Sequence, residues 1–212
     1  MLKLDFRKAK SLLFLGAHAD DIEIGCGGTI LKWAAANPGL KVHWVVFSAE
    51  GARRIEARRS AELLLRGASQ AKVTIKQFKA SFFPTQEATI KGYFETLKRS
   101  VAPDIVFTHY RYDRHQDHRL LSDLAWNTFR HHLILEYEVP KYDGDLGSPN
   151  LFIPLTEVVG RRKASHICRV FQTQRPKHWL TEDTFLALMR LRGVECASKY
   201  AEAFYCRKMV GS

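Results

Sequence analysis

The chain is poor in cysteine: Cys26, Cys168, Cys196 and Cys206 are the four in 212 residues, and no two stand at C-x-x-C spacing. The lack of that spacing argues against a cysteine-built zinc site. So few thiols point to reduced cysteines and a cytoplasmic location. No apolar run is long enough to span a bilayer. The basic N-terminus, Met1 to Lys8, has only a short apolar run after it and no small-residue cleavage pattern, so it leads into a first strand rather than serving as a signal peptide. Acidic residues are outnumbered, 22 against 33 lysines and arginines, for a net charge of +11. The basic residues stand in small groups, such as Arg53-Arg54, Arg58-Arg59 and Arg161-Arg162-Lys163, and never in a long run. A specific nucleic-acid partner is therefore not indicated. Two uses of the charge stay open: attraction of anionic molecules and solubility alone.

What is present is a regular alternation. Short apolar runs predict strands at 12–17, 42–47, 73–78, 105–108 and 133–137. Spaced apolar residues predict helices at 26–36, 53–66, 89–101 and 119–130, with further helices near 156–172 and 181–191. Residues 200–205 read as a closing strand. Strand–helix alternation makes this an α/β chain, a Rossmann-like three-layer sandwich on a mostly parallel sheet, in one domain over residues 1–212. The turn-rich stretch Tyr142 to Asn150 reads as an ordered loop near the site.

Chemistry concentrates in two places. The first strand delivers its chain to His18-Ala19-Asp20-Asp21-Ile22-Glu23, and the fourth to Asp113-Arg114-His115-Gln116-Asp117-His118. Adjacent carboxylates repel unless a cation or a shared proton relieves them. Both clusters lie at carboxyl ends of strands. In the Rossmann order the first and fourth strands are neighbours, and the crevice between them is where such folds bind ligands. The following Gly25-Cys26-Gly27-Gly28 is not the Gly-x-Gly-x-x-Gly fingerprint of a dinucleotide site. Glycines there permit close helix packing. Asp20 could also serve only as a helix cap.

These motifs resemble those of the zinc-dependent de-N-acetylases of the PIG-L/LmbE-like superfamily, which includes deacetylases of N-acetylglucosaminyl-phosphatidylinositol and of mycothiol and bacillithiol synthesis. The family's His-Pro-Asp-Asp-x-Glu is matched by His18 to Glu23, its Arg-x-x-Glu by Arg53 to Glu56, and its His-x-Asp-His by His115 to His118. Tyr200 to Phe204 looks like its closing segment. Ala19 replaces the usual proline, which would stiffen the turn but supplies no chemistry. The resemblance implies one zinc per chain, or another divalent metal, on His18, Asp21 and His118. It implies Asp20 as general base, His115 as the group that steadies an oxyanion, and Asp117 as the residue that orients His115. It further implies hydrolysis of a small N-acetylated sugar, with phosphorylated or nucleotide-linked sugars suggested by Arg53 and the net charge; a homo-oligomer is compatible with this. The competing reading is a basic anion- or nucleic-acid-binding module with a non-catalytic metal site.

Overall fold

The computed structural model describes residues 4–6 and 8–210; Met1 to Lys3 and Arg7, part of the basic N-terminal stretch, lie outside the described residues. Seven strands form one sheet in the order β3-β2-β1-β4-β5-β7-β6. The strands are β1 (Ser11–His18), β2 (Lys41–Ser48), β3 (Gln70–Ile75), β4 (Ile105–His109), β5 (Leu133–Tyr137), β6 (Leu151–Leu155) and β7 (Tyr200–Cys206). β1 to β5 run parallel, and β7 is antiparallel to both its neighbours. β1 is apolar at almost every position because helices cover both its faces, as central parallel strands require.

The helices are α1 (Asp21–Ala36), α2 (Gly51–Leu64), α3 (Glu87–Ser100), α4 (Gln116–Thr128), α5 (Glu157–Val170) and α6 (Glu182–Glu195). α1, α2, α5 and α6 share one core with one face of the sheet, around Phe14, Trp44, Phe107 and Phe204. α3 and α4 close the other face around Phe47, Phe83, Phe94 and Phe129. The architecture is the expected three-layer α/β sandwich, and β1 does lie beside β4, with Phe14 opposite Phe107.

Local boundaries differ in instructive ways. α1 starts at Asp21, not at residue 26, so the glycines lie inside a helix. α4 starts at Gln116, which puts Asp117 and His118 in its first turn. β3 is an edge strand with little buried surface and lies three residues earlier than its apolar pattern suggests. β6, Leu-Phe-Ile-Pro-Leu, was not anticipated. It is the other edge strand, where a proline is tolerated because one side of the ladder is free.

The glycines of α1 permit close approach. A Cβ on Gly25 would stand 2.2 Å from the Tyr137 ring, and one on Gly28 would stand 2.4 Å from Leu155 and 3.1 Å from the Glu202 carboxylate. Glu202, on β7, accepts the N–H groups of Gly28 and Thr29 at 2.7 and 2.6 Å. Lys163, on α5, binds the same carboxylate at 2.6 Å and donates to the Ile24 carbonyl. Both side chains are buried. A buried ion pair is retained at such a place only with its hydrogen bonds satisfied, and the helix backbone satisfies them here.

Candidate metal centre

His18 ends β1, and the next residues turn sharply into α1. Asp20 sits at the N-cap position with φ of 96°, the left-handed region that aspartate tolerates better than most residues. Its carboxylate makes no capping bond, so the cap alone does not account for it. Arg53, on α2, donates to the Ala19 carbonyl at 2.9 Å and lies 3.6 Å from Asp20 Oδ1. It therefore braces the turn. Glu56, the other half of its motif, instead accepts from Thr173.

From β4, the chain passes through Asp113 to His115, which caps α4. His118 then points back toward β1. Three donor atoms meet in the crevice. His118 Nε2 is 3.3 Å from His18 Nδ1, and Asp21 Oδ2 is 3.5 Å from each of these nitrogens. Around a tetrahedral ion with bonds of about 2.0–2.1 Å, ligand atoms stand roughly 3.3–3.4 Å apart. The spacing of His18, Asp21 and His118 thus fits a small divalent cation. The second nitrogen of each histidine is held by a carboxylate. His18 Nε2 is 2.9 Å from Asp117 Oδ2, and His118 Nδ1 is 2.9 Å from Asp113 Oδ2. Metal-binding imidazoles are commonly oriented in this way. Two further groups, His18–His115–Asp117 and His109–Asp113–His118, also cluster. Each of those brings together a ring nitrogen and a carboxylate already joined by a hydrogen bond, so the first group is the better cradle.

Asp117 meets His115 through its backbone rather than its carboxylate. Its carboxylate does not reach His115; it binds His18 and accepts the N–H groups of Ser81 and Phe83 at 2.6 and 3.0 Å. Its backbone N–H, however, donates to His115 Nδ1 at 3.2 Å. In a neutral ring that contact puts the proton on Nε2 and leaves it free to donate.

Electrostatics follow from burial. Desolvation opposes the charged form of His18, but its contacts with Asp117 and Asp21 override this and push its pKa up to about 9. A proton there occupies the neighbourhood that suits a metal cation. Burial and the charge of His109 hold His118 down to about 4, the neutral form a metal requires. Asp20 is pushed up to about 7 by burial and by Asp21, against the pull of Arg53, Lys177 and His18. Asp21 is held well below the usual range by His118 and His109, despite its burial. Neighbouring carboxylates driven apart in this way are suited to different tasks.

Three residues at the site were given no role from sequence. Asp113 orients His118 and also accepts the His115 N–H at 2.8 Å. His109, fully buried, accepts the Ala17 N–H, lies 3.3 Å from Asp21 and stacks on His118 with ring centres 3.8 Å apart. Its place at the end of β4 matches that of His18 at the end of β1, which was the available signal. Lys141, from the loop after β5, lies 3.0 Å from Asp113.

Comparison with known proteins bears on the fold and the family. A protein named as an uncharacterized deacetylase, YaiS of Escherichia coli K12, is 29% identical over an alignment of 152 residues that covers 63% of this chain and 76% of that protein. The N,N'-diacetylchitobiose deacetylase of Pyrococcus horikoshii has a similar fold, with a TM-score of 0.74 at 24% identity, covering 95% of this chain and 85% of that one. So does GalB, the 4-carboxy-2-hydroxymuconate hydratase of Pseudomonas putida KT2440, with a TM-score of 0.75 at 20% identity, covering 96% and 98%. The profile of the PIG-L family, described as GlcNAc-PI de-N-acetylase, matches residues 13–129. That stretch carries both histidine clusters, and the chain belongs to this de-N-acetylase family.

Proposed function

We propose that the protein is a metal-dependent hydrolase that removes the acetyl group from an N-acetylated sugar, releasing acetate and a free amine. The observation that carries this reading is the convergence of His18, Asp21 and His118 at the spacing of a tetrahedral metal site, with the unligated Asp20 beside it. His18, Asp21 and His118 would hold the cation. When bound, it supplies Lewis acidity, which makes a water easier to deprotonate and a carbonyl easier to attack. Asp20, with its raised pKa, accepts the proton of the attacking water and can pass it to the departing nitrogen. His115 Nε2–H donates to the carbonyl oxygen as negative charge develops on it. Arg53 holds the Asp20 turn, and its partly exposed guanidinium also suits an anionic group on the substrate.

A fold neighbour named as a hydratase means that water addition to a carbon–carbon double bond must also be tested. Family membership favours the amide. The test is a panel of N-acetylated sugars, neutral and phosphorylated, with an unsaturated carboxylic acid as the alternative substrate, assayed with and without added zinc. Acetate release that depends on metal supports the proposal. Hydration of the alkene without acetate release overturns it. In the same panel Arg53→Ala should raise KM more for phosphorylated than for neutral sugars; equal losses would confine Arg53 to bracing the turn.

A further inference from the structure

The loop between β5 and β6 is tied directly to the metal-ligand shell. Lys141 Nζ lies 3.0 Å from Asp113 Oδ2, the same oxygen that His118 Nδ1 meets at 2.9 Å. Asp145, from the same loop, binds Lys141 at 2.5 Å and accepts the Arg114 N–H at 2.7 Å. All three side chains are largely shielded, with 11% of Lys141, 7% of Asp145 and 3% of Asp113 exposed. Water therefore screens these charges poorly.

We infer that Lys141 is a positioning residue that weakens the grip of His118 on the metal while keeping the metal electrophilic, through the line Lys141–Asp113–His118. An ammonium group on Asp113 Oδ2 draws electron density from that oxygen. The oxygen then accepts less strongly from His118, and the opposite ring nitrogen becomes a poorer donor. Direct repulsion between Lys141 and a cation is offset by Asp145, whose carboxylate lies 2.5 Å from the ammonium, so the effect runs through Asp113. The effect has one sign: less affinity, more residual charge on a bound metal. Asp145 holds Lys141 in place, so a loop remote in sequence from the ligands sets how tightly they bind.

This inference rests on the metal reading above, and the experiment separates the two. Zinc dissociation constants are measured by competition with a chromophoric chelator for the wild type, Lys141→Met, Lys141→Arg and Asp113→Asn, and for Lys141→Met combined with Asp113→Asn. Urea unfolding of the metal-free proteins checks that each is folded. Substitutions of direct partners of metal ligands change affinity about 10- to 100-fold, and Lys141 stands one contact further out, so Lys141→Met should bind zinc about threefold to tenfold more tightly. Its kcat should fall, while Lys141→Arg stays near the wild type. In the Asp113→Asn background the gain in affinity should vanish. A purely structural anchor would lower affinity and turnover together. Unchanged or weaker zinc binding by a folded Lys141→Met, or the same gain with Asp113→Asn present, overturns the inference. A wild type that binds no divalent metal overturns the metal reading itself.

Discussion

Replacing Gly25 by alanine perturbs the site from inside α1. The new Cβ would lie 2.2, 2.5 and 2.9 Å from Cδ2, Cγ and Cβ of Tyr137. Ordinary contact begins near 3.4 Å, so something must move by roughly 1 Å. Tyr137 cannot yield easily: its ring is fully buried, its hydroxyl donates to the Leu15 carbonyl at 2.7 Å, and the clash involves the root of the side chain. α1 must then shift, and its first turn carries Asp20 and Asp21. Overpacking of this kind costs about 1–3 kcal/mol, against a gain of about 1 kcal/mol from better helix propensity. Displacement of catalytic groups by about 1 Å costs about 100-fold in rate. The comparison is Gly92→Ala in α3, where an added Cβ meets nothing within 4 Å. That variant should be more stable by about 0.5–1 kcal/mol, with turnover unchanged. Urea denaturation and kcat/KM for acetate release measure both. If Gly25→Ala proved as stable and active as Gly92→Ala, the close approach of Tyr137 to α1 would not constrain the site.

Other predictions separate roles within the crevice. Asp20→Asn should keep its metal and lose about 100- to 10,000-fold in turnover, because an amide cannot accept the proton, whereas Asp21→Asn should lose the metal; dialysed metal content and kcat together decide, and the reverse pattern would exchange the two roles. His115→Ala should lower kcat more than it raises KM and leave the metal bound, and an unchanged kcat would remove His115 from the reaction. Glu23 is buried, and desolvation pushes its pKa up to about 8 from an ordinary value of 4.5. The folded protein therefore holds a proton that the unfolded chain releases, and the stability this brings is complete below about pH 4.5 and lost as pH rises through 8. Glu23→Gln should gain on the wild type across that window, by about 3–5 kcal/mol at its top, in urea titrations of metal-free protein; parallel curves from pH 5 to 9 would refute it.

The parts of the fold that were legible in the sequence are those where burial is two-sided. β1, β2, β4 and β5 announce themselves as apolar runs, and the order of histidine clusters after β1 and β4 located the crevice. The edge strands were harder, because β3 buries little and β6 contains Pro154. Helix starts were misplaced for a related reason. Asp20 and Asp21 look like loop residues until a site is present to bury them. Within the site, residues joined by short chain segments were readable, but those joined only by the tertiary structure were not. His109 is an isolated histidine in sequence, Lys141 lies 28 residues beyond Asp113, and the Asp117 carboxylate turns to a histidine 99 residues away instead of one two residues away. No local spacing distinguishes those partners.

The Glu202 carboxylate reaches Gly28 and Thr29 across separations of 174 and 173 residues. During synthesis the chain must therefore have emerged through residue 202 before the interior of α1 acquires its last partners. Contacts this far apart in sequence close late, because the intervening loop carries a large entropic cost. Until β7 inserts between β5 and β6, Lys163 lacks its counter-charge and the Gly28 and Thr29 amides lack the Glu202 carboxylate. The first turn of α1, with Asp20 and Asp21, is the other end of that same helix. A growing chain thus has the residues of the proposed metal site early, while the helix that carries two of them gains its last tertiary contacts only at the close of folding.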